Sequence, residues 1–246
     1  MSLKKLYKNF LHYAVKAVPN VITFTNLILG FFSIKLAFEG AYKMAVTFII
    51  LSMFLDFLDG KAARKLKAVS SLGRELDSLS DIVSFGVAPS ILIWIIFPFQ
   101  PNLLGISLVF FLACGAYRLA RFNLKGDKAK KAETDHFSGF PITAAGGLLA
   151  LMSLYKEILP PTFLFCLIIL LSISMVSNIP FISLKYLNKF KTDYIPFMLF
   201  FATFIFSVMQ PSILTVILSL YFLSGIFLMF YMGMYQDTAK DRNEWH

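Results

Sequence analysis

Eight apolar runs, at about 20–38, 42–60, 77–97, 103–122, 142–157, 162–181, 194–209 and 212–234, fill most of this 246-residue chain. A membrane-crossing helix needs about 20 apolar residues. The chain therefore has room for about eight spans and for no separate soluble domain. Charged residues make up only 15% of it, against about 25% in a soluble domain. The expected fold is an all-α integral membrane protein, a bundle of about eight transmembrane helices. Tight turns join the runs at 98–102, 158–161 and 209–211, where prolines cluster. The fifth run is short and glycine-rich, so a tilted or partly broken helix is expected there.

Residues 1–17 read differently. Leu3, Leu6, Phe10, Leu11 and Val15 fall on one side of a helix, with Lys4, Lys5, Lys8 and Lys16 off it. That pattern predicts an N-terminal interfacial amphipathic helix, with Pro19-Asn20 punctuating entry to the first span. No short apolar core with a small-residue cleavage site marks a signal peptide. The expected organisation is an interfacial helix at 1–17, a transmembrane domain at 18–236 and a short polar tail at 237–246. Cys114 and Cys166 sit in apolar runs without metal-ligand spacing and read as packing residues.

The net charge of +9 invites a nucleic-acid reading, but the distribution of the charges argues against it. With an even number of spans both termini share one side. That side carries 20 of the 23 basic residues; only Lys35, Lys43 and Lys156 fall opposite. A split of this kind orients a multi-pass chain with both termini in the cytoplasm. The remaining basic surface, including Lys125, Lys128, Lys130 and Lys131, then meets anionic lipid.

Four aspartates contradict the apolar pattern. Asp56 and Asp59 end the second run, and Asp77 and Asp81 begin the third. Pairs three and four apart share a helix face. A carboxylate at the centre of a membrane helix costs about 2.5–3.5 kcal/mol on the insertion scale, so four together call for cations. If residues 61–76 fold back as a hairpin, both pairs meet at one level. Oxygen ligands select Mg²⁺, Mn²⁺ or Ca²⁺ rather than zinc. Four shared carboxylates suit two such ions, an arrangement able to stabilise both oxygens of a displacement at phosphorus.

The full spacing is D-x2-D-G-x2-A-R-x8-G-x3-D-x3-D, from Asp56 to Asp81. It resembles the signature of the CDP-alcohol phosphatidyltransferase family, which joins a CDP-activated lipid or alcohol to a hydroxyl-bearing acceptor and releases CMP. The resemblance implies that Asp56, Asp59, Asp77 and Asp81 hold two divalent cations, Mg²⁺ or Mn²⁺, with Ca²⁺ a non-productive occupant. It makes Asp81 the general base. It places Asp59 on the pyrophosphate of the CDP-lipid and Gly60, Ala63 and Gly73 at its cytidine pocket. Arg64 is expected to pair with a phosphate of that lipid or with Asp59, and Asn26 to reach the nucleotide or to bond to backbone inside the bundle. The resemblance also implies a homodimer.

Further segments resemble the phosphatidylserine synthase branch of that family: Pro19-Asn20-x2-Thr23-x2-Asn26-Leu27-x2-Gly30, Glu75 through Pro89, Tyr117 through Asn123, and Phe137 through Pro141. Ser80 stands where the branch usually has alanine. The branch implies L-serine as acceptor and CDP-diacylglycerol, or an archaeal ether-lipid equivalent, as donor, in a prokaryotic inner membrane with the site facing the cytoplasm. Arg118 and Arg121 sit one turn apart at the cytoplasmic end of the fourth run. An arginine fork suits the serine carboxylate, and Arg121 is ranked first, with Phe122, Asn123 and Ser84 completing the pocket. Glycerol 3-phosphate, inositol and inositol phosphate are the competing acceptors. A divalent-cation transporter is the distant alternative, disfavoured because all the aspartates lie at one end of the bundle.

Overall fold

The computed structural model describes residues 3–66, 68–98, 101–126, 136–177, 180–182, 212, 215–221 and 223–224, with side chains described for 17–66, 68–98, 102–124, 139–177, 212, 215–221 and 223–224. Its helices are α1 (Leu3–Phe38), α2 (Tyr42–Lys65), α3 (Ser71–Asp81), α4 (Ala88–Ile96), α5 (Pro101–Gly126), α6 (Ile142–Met152) and α7 (Pro161–Val176). A π-helical segment, Ile82–Val87, joins α3 to α4 without a break, and a 3₁₀ turn, Ser153–Tyr155, follows α6. Residues 215–221 are also helical.

Among the described residues, three stretches are long and apolar enough to cross a membrane: Ala17–Phe38, Ser71–Ile96 and Asn102–Leu124. Shorter apolar helices occupy Ile142–Tyr155 and Pro161–Val176. The chain is a helical membrane protein. The expected run at 194–209 and most of that at 212–234 lie outside the described residues, as does the tail at 237–246.

The helix faces are sorted as a bilayer demands. On α1, Val21, Phe24, Ile28 and Phe31 point outward, Phe31 being 62% exposed, whereas Thr23, Asn26 and Ser33 are buried. α5 likewise exposes Ile106, Val109 and Phe110 and buries Ser107, Cys114 and Arg118. Polar groups turn inward because lipid offers them no hydrogen bonds. Cys166, expected to pack inside, lies on the outer face of α7.

α6 is the centre. Ile142 and every residue from Ala144 to Leu151 are buried, as befits a helix apolar all round. It lies so close to the π-helical segment that a Cβ on Gly146 would overlap the carbonyl of Phe85. Serine hydroxyls tie the other helices to α1: Ser52 on α2 and Ser84 on the π segment both donate to the carbonyl of Asn26, at 3.3 and 3.1 Å.

Several expected boundaries move. α1 runs unbroken through Pro19, so the N-terminal segment expected at the interface and the first span share one backbone helix; prolines are tolerated where neighbouring groups re-satisfy the backbone. α2 continues to Lys65, its last turn carrying Arg64 and Lys65, cations that favour a helix C-terminus. The 61–76 connection shrinks accordingly. Ser70 caps α3, its hydroxyl accepting from the Gly73 amide at 3.0 Å. Gly60 and Gly73, flanking that connection, both lie inside helices. α7 ends at Val176, five residues before the expected 181. Beyond it Pro180–Ile182 pairs antiparallel with His136–Ser138, a short ribbon that an all-α reading does not foresee.

Candidate active site

α2 and α3 meet at their aspartates. Carboxylate oxygens of Asp56, Asp59 and Asp77 lie within 4.8 Å of one another. Two unit charges so spaced repel by about 3–4 kcal/mol at an effective dielectric of about 20. Asp59 is 4% exposed and is held by α1: the Thr23 hydroxyl donates to its Oδ2 at 2.8 Å. Thr23 is itself fixed from α3, because Ser80 donates to the Thr23 carbonyl at 3.1 Å. Ser80, the departure from the usual alanine, therefore adds an interhelical hydrogen bond.

Asp81 stands beside this triplet rather than within it. It is buried, in electrostatic reach of the other three aspartates and of Arg118. Among the described residues its Oδ1 has no hydrogen-bond partner, and neither has Oδ1 of Asp77. Converging carboxylates with orphaned buried oxygens fit a divalent cation, a hard ion that takes oxygen ligands. The triplet can hold one.

The residues expected at the nucleotide lie on three helices: Gly60, Ala63 and Arg64 on α2, Gly73 on α3 and Asn26 on α1. Gly60 and Ala63 are half-buried and Arg64 is exposed. Among the described residues a Cβ on Gly60 would meet only Arg64 Nη1, at 3.6 Å, so their packing does not demand glycine. A Cβ on Gly73 would stand 3.1 Å from Ser70 Oγ and 3.2 Å from Asn20 Oδ1. Asn26 is fully buried, and neither Oδ1 nor Nδ2 of its amide has a partner. An unpaired buried polar group costs about 1–3 kcal/mol, which a ligand or water would relieve.

The acceptor candidates separate. Arg118 is 8% exposed; its charge reaches Asp81 and Asp56, and its Nε has no partner. Arg121 turns away, toward the end of α7, where it donates to the carbonyls of Val176 and Ser177 at 2.7 and 3.1 Å. Asn123 donates to Ser78 Oγ at 3.0 Å and Glu75 Oε2 at 3.3 Å, tying α5 to α3. Phe122 is 51% exposed. Ser84 spends its proton on the Asn26 carbonyl.

Three residues here escape the sequence reading. Thr23 lies in the Pro19–Gly30 segment, but its spacing gives no hint of a bond to Asp59. Ser80 looks like a neutral replacement. Tyr221 comes from the C-terminal helical stretch, where only hydrophobicity is legible, yet it lies in electrostatic reach of Arg118.

A family model for CDP-alcohol phosphatidyltransferase matches residues 16–235. A Bacillus subtilis (strain 168) protein named CDP-diacylglycerol–serine O-phosphatidyltransferase is 42% identical over 144 residues, 58% of this chain and 78% of that one. A Helicobacter pylori (strain 26695) protein of the same name is 33% identical over 215 residues, covering 85% of this chain and 89% of its own. An archaetidylserine synthase of Methanothermobacter thermautotrophicus is 34% identical over 173 residues, 67% of this chain and 69% of its own.

Proposed function

Since the chain belongs to the CDP-alcohol phosphatidyltransferase family, we propose that it transfers the phosphatidyl group of CDP-diacylglycerol, or of an ether-lipid equivalent, to the hydroxyl of L-serine, releasing CMP. The observation that carries this reading is the convergence of Asp56, Asp59 and Asp77 beside a buried Asp81, in a chain whose relatives bear serine-transferase names.

Asp81 is the general base. The unpartnered Oδ1 of its buried carboxylate is available to take the proton of an incoming hydroxyl. The serine oxygen bonds to the lipid-side phosphorus as the bond to the CMP oxygen breaks. The proton passes to Asp81 and then to water. General-base assistance is typically worth 10²–10⁴-fold. Asp56, Asp59, Asp77 and Asp81 would hold two divalent cations, Mg²⁺ or Mn²⁺, which supply charge neutralisation at the phosphate oxygens. Thr23 orients Asp59 for that task. Gly60, Ala63, Arg64, Gly73 and Asn26 border the nucleotide. Arg118 receives the serine carboxylate.

The remaining parts of the reading follow from charge and composition. About eight spans, an interfacial N-terminal helix and cytoplasmic termini put the aspartates at the cytoplasmic edge of a prokaryotic inner membrane, where serine arrives from water and the CDP-lipid from the bilayer. A homodimer is the expected assembly. The test is CMP release from CDP-diacylglycerol by the purified protein with serine, glycerol 3-phosphate, inositol and inositol phosphate supplied one at a time. Release with serine alone is expected. Release with another acceptor alone overturns the serine assignment, and release with none overturns the activity.

A further inference from the structure

Arg118 and Arg121 share one face of α5, yet they meet different partners: the aspartates for Arg118, the end of α7 for Arg121. The guanidinium of Arg121 spreads over three successive carbonyls at the C-terminus of α7. Nη1 donates to Val176 O at 2.7 Å, and Nη2 to Ser177 O at 3.1 Å and Met175 O at 3.4 Å. The carbonyl of the preceding residue, Ser174, accepts from the Phe140 amide at 3.0 Å. A helix C-terminus leaves its last carbonyls without intrahelical donors. Here the donors come from α5 and from the Gly139-Phe140 corner.

That corner is built for close approach. Gly139 has φ +86°, and a Cβ there would overlap the Met175 carbonyl and stand 3.1 Å from Arg121 Nη2. The Phe140 ring packs on Tyr221 with centroids 5.7 Å apart, and Tyr221 lies in electrostatic reach of Arg118. The contacts thus run from Arg121 through the end of α7 and Phe140 to Tyr221, which stands in electrostatic reach of Arg118. A planar fork bonded to successive carbonyls resists both sliding and rotation of α5 against α7. Arg118, whose Nε has no partner, takes its aim from the helix that carries it.

We infer that Arg121 is a positioning residue rather than an acceptor ligand: by capping α7 it sets the depth and rotation of α5 and so aims Arg118 at the acceptor carboxylate. This rests on the reading of Arg118 as the acceptor-binding group.

A double-mutant cycle on the full-length protein tests it, with KM for serine and KM for CDP-diacylglycerol measured separately. Arg118→Gln should raise the serine KM by about tenfold or more. Arg121→Gln should raise the serine KM by about tenfold and leave the CDP-diacylglycerol KM within about twofold. In the Arg118→Gln background the Arg121 change should add less than about twofold, because its effect is already lost. Arg121→Lys should behave like Arg121→Gln, since one ammonium cannot span three carbonyls. Gly139→Ala perturbs the same junction without substituting either arginine, its Cβ pressing on the Met175 carbonyl and on Arg121 Nη2. It should reproduce the serine effect and its disappearance in the Arg118→Gln background, which keeps the test decisive if Arg121→Gln does not fold. Multiplying effects of Arg118→Gln and Arg121→Gln would make Arg121 an independent ligand and overturn the inference. Equal rises in both KM values would reduce Arg121 to a general structural role and overturn it too. An unchanged serine KM in Arg118→Gln would instead refute the Arg118 reading, and the inference with it.

Discussion

The hydroxyl of Thr23 on α1 donates to Oδ2 of Asp59 on α2, across 2.8 Å. The bond joins the first helix to the acidic cluster and orients one carboxylate of the triplet. A hydrogen bond to a charged group is worth about 1.5–3 kcal/mol. Thr23→Val, close in shape, should raise the divalent-ion concentration needed for half-maximal activity by about 10–100-fold. Thr23→Ser should restore most of the loss. Titration of activity with Mg²⁺ and Mn²⁺ reads both.

Asp81→Asn removes the proposed base while keeping shape. Turnover should fall by about 10²–10⁴-fold. CDP-diacylglycerol binding, followed by equilibrium dialysis of labelled lipid in detergent, should change by no more than a few-fold. A variant that turns over normally would remove Asp81 from the base role.

Asp77 contributes to the triplet but is not the proposed base. Asp77→Asn should lower metal affinity by about 10–100-fold, and saturating Mn²⁺ should recover part of the rate. Chelator treatment of the unaltered protein should abolish CMP release, and added Mg²⁺ or Mn²⁺ should restore it. Calorimetric ion binding to the resting protein supplies a readout independent of turnover.

Gly60 and Gly146 separate ligand clearance from packing. A Cβ at Gly60 meets only the flexible end of Arg64, whereas one at Gly146 collides with the backbone of Phe85. Gly146→Ala should destabilise by about 1–3 kcal/mol, seen as a lower thermal midpoint. Gly60→Ala should hold or raise that midpoint, since alanine gains about 1 kcal/mol over glycine in a helix, yet it should raise the KM for CDP-diacylglycerol. An unaltered KM would take Gly60 out of the nucleotide site.

Asn26 carries two unpaired amide atoms in a fully buried position. Replacing an unsatisfied polar side chain by an apolar one of similar volume is nearly neutral or stabilising for the fold. Asn26→Leu should therefore keep or raise the thermal midpoint while weakening CDP-diacylglycerol binding. Loss of stability with unchanged binding would show that the amide serves packing alone.

Much of this architecture is written in one dimension. Length and hydropathy determine that helices cross a bilayer, because hydrocarbon tolerates no unpaired backbone. The spacing of Asp56, Asp59, Asp77 and Asp81 determines that each pair shares a helix face, because the helix repeats every 3.6 residues. The order of Gly60, Ala63, Arg64 and Gly73 between them identifies the family. These properties are local, or depend on solvent alone.

Which partners meet across helices is not local. Arg118 and Arg121 are equivalent in spacing and charge, and nothing in the sequence says which of them faces the aspartates. Only the folded chain, by ending α7 beside Arg121, gives that fork three carbonyls and leaves Arg118 in reach of Asp56 and Asp81. Ser80 and Thr23 became site residues in the same way, through a hydrogen bond spanning 57 positions. Helical periodicity sets the direction of a side chain from its own axis; the packing of a second helix decides what stands in that direction.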